Sequence, residues 1–285
     1  MSSVASSSPM AAAGVAVVDL PTKQTASANP SRRRPLAGVQ RLTGVIAILV
    51  LWQVLSSTGV LSSQTLAGPI SIFQAGWALT RSGVLPSAVW VSLQRVAIGL
   101  ATGTALGGTL AVIAGLSQLG DDVIDVPMQT ARFVPIIGLQ PLIVLWLGIG
   151  NVAKVSLIVL AVIFPIYINT YAAVRDLDPR FLDLARSLRL SRRQIVRRVV
   201  LPGALPGFLM GLRLAVAVAW LVLVFAEQIN ATNGIGFLIV QAQTFFQTKT
   251  IVVGLAAYAV LGLLTTVAVR LLERKTLSWL PSRSN

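Results

Sequence analysis

"DLARSLRLSRRQIVRRVVLPGALPG" occupies residues 183–207 and decides how the rest of the chain is read. Counted from Arg175 to Arg198 the region carries eight arginines, and it then enters an almost uncharged run. A nucleic-acid arm, a core helix of a soluble protein and a water-facing loop of a membrane protein each predict different flanks. Local helix grammar is present throughout. Asp178 reads as an N-cap with Pro179 at the first helical position. Phe181, Leu182, Ala185 and Leu188 then recur at three-to-four-residue spacing and make one apolar face. Ser191 and Gln194 fit a capping box for a second helix, which feeds into the next apolar run.

The flanks select the membrane reading. Only 11% of the 285 residues are charged and the mean hydropathy is +0.80. A chain with so few charges cannot clothe an ordinary water-facing surface, for which roughly 25% is usual. The net charge of +14 would suit nucleic acid, but the basic residues flank apolar runs and do not line a face that could track phosphates. The chain has no Cys and no His. It therefore lacks disulfides, thiolate nucleophiles, the commonest zinc ligands and the easiest general base near neutral pH.

Six apolar segments follow one another: 42–61, 89–116, 128–150, 155–174, 204–226 and 251–272. Each approaches or exceeds the roughly 20 residues that cross a bilayer as a helix. The third is interrupted by Arg132, Pro135 and Pro141. The expectation is an all-α integral membrane protein with six transmembrane helices over residues 41–275. Residues 1–40 read as a disordered cytoplasmic tail, rich in Ser, Ala and Pro, and 276–285 as a cytoplasmic C-terminal tail. A signal peptide fits poorly, because Arg32–Arg34 follow the small apolar patch when they should precede it. Seventeen of the 23 Lys and Arg fall in the N-terminal tail, in the 175–200 loop and from Arg270 onward. Positive-inside bias then places both termini and that loop in the cytoplasm, together with a short loop near 117–124. "GDDVID" (120–125) reads as a solvated face.

Taken with its surroundings, the opening stretch resembles the EAA loop of the integral-membrane permease subunits of ABC importers. "VWVSLQRVAIG" (89–99), "PLIVLWLGIG" (141–150), "INTYAAVRDLDPRFLDLARSL" (168–188), "GLRLAVAVAWLVLVFAEQI" (211–229) and "LLERKTLSW" (271–279) are similar to the branch that takes up aliphatic sulfonates, taurine and nitrate. The resemblance covers roughly residues 40–281. It implies a MetI-like type I importer permease fold with a cytoplasmic coupling-helix loop, 175–201, between helices 4 and 5. It also implies a plasma (inner) membrane location and a non-catalytic role. The implied partners are a second copy of the chain, two cytoplasmic ABC ATPase subunits that hold ATP and Mg, an extracytoplasmic solute-binding protein and the lipid bilayer, with no nucleic acid. No cofactor is expected on this chain, which has no phosphate-binding loop.

The resemblance makes Phe181, Leu182, Asp183, Leu184, Ala185, Leu188, Arg189, Leu201 and Pro202 the ATPase-coupling residues. Asp183-Leu184-Ala185 stands where the family pattern has Glu-Ala-Ala, and Arg189 stands where it has glycine. Glycine permits a tight turn there that arginine reaches only under strain. The implied function is import of a small anion, an aliphatic sulfonate first, with taurine, nitrate or a pyrimidine-type solute as alternatives. An ion-coupled secondary transporter is the competing class. Polar groups at lipid depth default to functional candidates. Arg132, Gln140, Asn169, Arg213 and Glu227 are the translocation-path candidates, while Arg95, Arg132 and Arg213 lie near span ends where they can snorkel to headgroups. The glycines of "GLATGTALGGTLAVIAG" (99–115) read as close helix–helix contacts.

Overall fold

The computed structural model describes residues 47, 48, 50–58 and 67–277. The described residues contain helices, turns and bends but no strand. Residues 50–57 are helical. Then come α1 (Pro69–Arg81), α2 (Val84–Leu116), α3 (Gln118–Ala131), α4 (Ile136–Leu147), α5 (Asn151–Arg175), α6 (Pro179–Ser187), α7 (Arg192–Gln228), α8 (Ile235–Thr244) and α9 (Thr248–Thr276). Helices α2, α5, α7 and α9 are long and apolar enough to cross a membrane, and the bent pair α3–α4 makes a fifth span if counted as one. Of the expected first span, 42–61, residues 47, 48 and 50–58 are described, and nearly all of both expected tails lie outside the described residues.

Two expectations need correction. The loop expected near 117–124 is helical, because Ser117 caps a new helix by accepting from Gly120 N at 2.9 Å. The expected span 128–150 is not one helix. Its first half begins at Gln118, and α3 and α4 meet at 88° across residues 132–135. Pro135 causes the break: it lacks an N–H, and its ring bars Val134 from the helical region. Phe133 N and Val134 N close the end of α3 by reaching Thr130 O and Ala131 O. At 1.5 Å per residue α3 spans ~21 Å before the break.

Helix α5 is the centre of the packing, with α2 on one side and α7 on the other. Small residues let the backbones approach. A Cβ added at Gly103 would stand 2.7 Å from Val162, and one at Gly107 would stand 2.7 Å from Ile163 O. On the other side, a Cβ at Gly207 would lie 2.6 Å from Asn169 O and one at Gly211 2.8 Å from Pro165 O. Into these seams fit Leu157, Ile158, Val162 and Ile166 of α5, all buried. Trp220 of α7 ties α9 to the core, donating to Thr265 Oγ1 at 2.8 Å and meeting the Tyr258 ring edge-on. Most large side chains pointing away from this core are apolar and exposed, including Ile98, Leu145, Trp146, Leu255 and Leu263. That is the surface a lipid solvent selects.

Candidate functional site

The α6 region is built from caps outward. Asp178 accepts from Arg180 N at 2.9 Å, and Pro179 opens the helix as its pattern required. At the other end Leu190 N donates to Ala185 O at 3.1 Å and Arg189 N to Arg186 O at 2.9 Å. This pair of bonds is a Schellman closure, whose turning residue adopts a left-handed backbone. That residue is Arg189, with φ +53°. The turn keeps the geometry a glycine would give, and arginine bears the strain. Ser191 and Gln194 then form the expected capping box, with Ser191 N donating to Gln194 Oε1 at 2.8 Å. A π turn at Val196–Val200 carries α7 past Pro202.

Helix α6 divides its apolar residues between two jobs. Ala185 is buried, and Leu182 packs against Val174, Val200 and Ala204 at the ends of α5 and α7. Phe181, Leu184 and Leu188 stay 59%, 59% and 65% exposed and form an apolar ridge along one wall of a groove. The groove, of about 330 Å³, is closed by Leu177, Leu190 and Arg198. Asp183 is exposed and pairs with Arg186 at 3.2 Å. The structure thus brings together Phe181, Leu182, Asp183, Leu184, Ala185, Leu188 and Arg189. Leu201 does not join this groove. It lines a separate cavity of about 530 Å³ between α2, α5 and α7, and Pro202 beside it is exposed.

At the opposite end of the helices lies a buried polar network. Arg95, expected to snorkel, is instead 3% exposed, and its guanidinium meets the fully buried Glu227 carboxylate at 2.6 Å. Arg95 also donates to Asn151 Oδ1 at 2.6 and 2.9 Å, to Asn233 O at 2.9 Å and to Asn233 Oδ1. Glu227 further accepts from Ser92 Oγ at 2.8 Å, Tyr258 OH at 2.9 Å and Gly236 N at 2.9 Å. The network joins α2, α5, α7, α8 and α9, and each charge is paired and hydrogen-bonded, as burial requires. Ser92, Asn151, Asn233 and Tyr258 escaped sequence reasoning. The one local signal is that Ser92 and Arg95 share a helix face at i, i+3.

The remaining polar candidates scatter. Gln140 is buried and its amide reaches Phe225 O at 3.5 Å. Asn169 donates to Pro165 O of its own helix at 2.8 Å and stands at the Gly211 crossing, so it serves the α5–α7 seam. Arg132 sits in the α3–α4 break, exposed, with its guanidinium 4.9 Å over the Phe133 ring. Arg213 is not near a span end. Because α7 runs on from Arg192, Arg213 lies ~22 Å from Gln228, close to mid-helix, exposed and with no polar partner among the described residues. No cluster of metal-binding side chains occurs among the described residues.

Comparison with known proteins agrees with this geometry. Residues 103–278 match the family described as "Binding-protein-dependent transport system inner membrane component". The chain is 42% identical over 237 residues to the putative aliphatic sulfonates transport permease protein of Escherichia coli (strain K12), covering 83% of this chain and 90% of that one. The Bacillus subtilis (strain 168) protein of the same description is 37% identical over 232 residues, covering 81% and 84%. The taurine transport system permease protein of Escherichia coli is 31% identical over 242 residues, covering 83% and 88%. Among solved structures, the inward-facing MetNI methionine ABC transporter shares the fold with a TM-score of 0.59 at 18% identity, covering 69% of this chain and 98% of that one. A helical membrane body, a capped amphipathic α6 in its midst and these relatives agree: the chain belongs to the binding-protein-dependent transport system inner membrane components, the permeases of ABC importers, in the branch that includes the aliphatic sulfonate and taurine permeases.

Proposed function

We propose that this chain is the permease subunit of an ATP-driven importer for a small organic anion, an aliphatic sulfonate in the first place. Two copies frame the translocation path. Two copies of a separate cytoplasmic ATPase, holding ATP and magnesium, supply the energy, and an extracytoplasmic binding protein delivers the solute. The observation that carries this reading is the ridge of Phe181, Leu184 and Leu188, left exposed on a helix that is capped at both ends and seated by Leu182 and Ala185. A loop that only fixed topology would need no such ridge. A short helix with an exposed apolar face fits a groove in another protein. Charge placement supports an orientation with α6 and both termini in the cytoplasm.

Arg213 and Arg132 are the path residues of this proposal. A guanidinium exposed at mid-span costs about 2.5–3.5 kcal/mol or more against lipid. The Arg213 face of α7 therefore suits water or a second copy of the chain, and an anion passing there would meet an unpaired positive charge. Their names connect the relatives with aliphatic sulfonates and taurine, and both solutes are sulfonates.

The test is Leu184→Asp in the complex assembled with the ATPase. Leu184 is exposed, so the change leaves α6 folded and inserted while solute-stimulated ATP hydrolysis falls by about tenfold or more. Ala185→Asp is less discriminating, because it also places a carboxylate in the buried seat of α6. Unchanged stimulation in Leu184→Asp would remove the docking role. Uptake persisting after ATP depletion would favour an ion-coupled transporter.

A further inference from the structure

"GDDVID" is a solvated face only in part: Asp122 and Val123 are exposed, while Asp121 and Asp125 are half-buried. Asp121 and Asp125 lie one above the other on a π turn, Asp121–Asp125, at the start of α3. Both reach across to the last turns of α5. Tyr171 donates its hydroxyl to Asp121 Oδ1, and Arg175 meets Asp121 Oδ2 at 3.1 Å. One turn deeper, Tyr167 donates to Asp125 Oδ1 at 3.1 Å, and Gln129 reaches the same carboxylate at 3.4 and 3.5 Å. The two tyrosine rings stack at 5.6 Å with 11° between their planes. Ile124 and Met128 of α3 pack beneath them, against Tyr167 and Ala111. The result is a short antiparallel ladder, with Asp121 and Asp125 on one rail and Arg175, Tyr171 and Tyr167 on the other.

The ladder's place in the chain gives it a mechanical role. Arg175 is the last residue of α5, and α6 begins at Pro179. At its other rail, α3 runs directly into the 88° break that carries Arg132. A displacement of α6 reaches the ends of α5 and α7 on which Leu182 is seated, and the ladder ties that end of α5 to α3. The outer rung is an ion pair between side-chain tips partly open to water, with side-chain exposures of 47% for Arg175 and 26% for Asp121, while Tyr167 on the inner rung is fully buried. The outer bonds, of Asp121 with Arg175 and Tyr171, can exchange partners while the Tyr167 end stays packed. The π turn adds to this, since that geometry is rare and concentrates at functional positions.

We propose that the ladder of Asp121, Asp125, Tyr167, Tyr171 and Arg175 is the transmission that makes α3, and Arg132 with it, follow the movement of α6. These are positioning residues: they touch neither solute nor ATPase. The proposal rests on the importer reading above.

The test uses the whole complex, permease with its ATPase and binding protein, in proteoliposomes with ethanesulfonate as the probe. Solute imported per ATP hydrolysed is measured for Tyr171→Phe, Asp121→Asn and Asp121→Glu. Tyr171→Phe removes one oxygen and keeps the ring stack, so it decides the question even if Asp121→Asn assembles poorly. The expected result is a fall of about fivefold or more in solute per ATP for Tyr171→Phe and Asp121→Asn. Hydrolysis is retained but no longer responds to the binding protein, and Asp121→Glu restores most of the ratio. A wild-type ratio in Tyr171→Phe, or import and hydrolysis lost together in proportion to lost complex, would reduce the ladder to a structural tie. Absence of ATP-dependent import by the wild-type complex would instead overturn the importer reading, and the transmission with it.

Discussion

Removing the charge from Glu227 tests whether the buried network locks the end of the helices opposite α6. The carboxylate has no exposed surface and accepts from Arg95, Ser92, Tyr258 and Gly236 N. Glu227→Gln preserves shape and one acceptor oxygen, but leaves the buried Arg95 guanidinium with neutral acceptors only and no counter-charge. Breaking a buried pair by removing one partner costs about 3–5 kcal/mol, most of it the uncompensated charge. Arg95→Met strands Glu227 in the same way. The double variant removes both charges, so its loss should be smaller than the sum of the singles by about 1–3 kcal/mol. Thermal unfolding of the purified permease reads this directly. For a body of this size each kcal/mol moves the midpoint by about 2–4 °C, so Glu227→Gln should lower it by on the order of 10 °C. Singles that shift the midpoint by less than about 2 °C, or a double variant that is simply additive, would refute the reasoning. In that case the pair would behave as a solvated surface bridge.

Three further outcomes follow from local geometry. Arg189→Gly relieves a left-handed backbone that costs an L-residue about 1–2 kcal/mol, against roughly 0.5–1 kcal/mol of added chain entropy, so the melting point rises slightly. Gly103→Ala forces a Cβ to 2.7 Å from Val162 and destabilises by about 1–3 kcal/mol, whereas Gly108→Ala, with its nearest neighbour at 3.7 Å, is neutral or mildly stabilising; the same melts compare them. Arg213→Gln changes stability by less than about 0.5 kcal/mol, because no polar partner among the described residues is lost, while uptake of a sulfonate falls in proteoliposome import assays.

Much of the framework was legible because a lipid-facing helix is apolar all round and needs no partner to announce itself. The runs at 89–116, 155–174, 204–226 and 251–272 match α2, α5, α7 and α9 to within a few residues, apart from the longer start of α7. The caps at Asp178 and Ser191 and the glycines of α2 were equally plain, since each depends on residues three or four apart. The candidate site was legible only in part. Phe181, Leu184, Ala185 and Leu188 line one groove, while Leu201 turns to another cavity. Arg95 and Asp121 were misjudged, because hydropathy reports how deep a residue lies and says nothing of which side of its helix it occupies.

From the sequence alone came the class of molecule, its membrane framework, the arginine-rich loop and the capped helix within it. All of these depend on composition or on neighbours within one helical turn. Tertiary structure decided what lies 50 to 135 residues apart: Tyr171 on Asp121, Arg95 on Glu227, Ser92 on the same carboxylate. It also decided that the third apolar run bends by 88° and that Arg189 takes a left-handed turn. The physical reason is shared. Burying a charge or straining a backbone is unfavourable wherever it stands alone, and it persists only because other helices supply the bonds that compensate it.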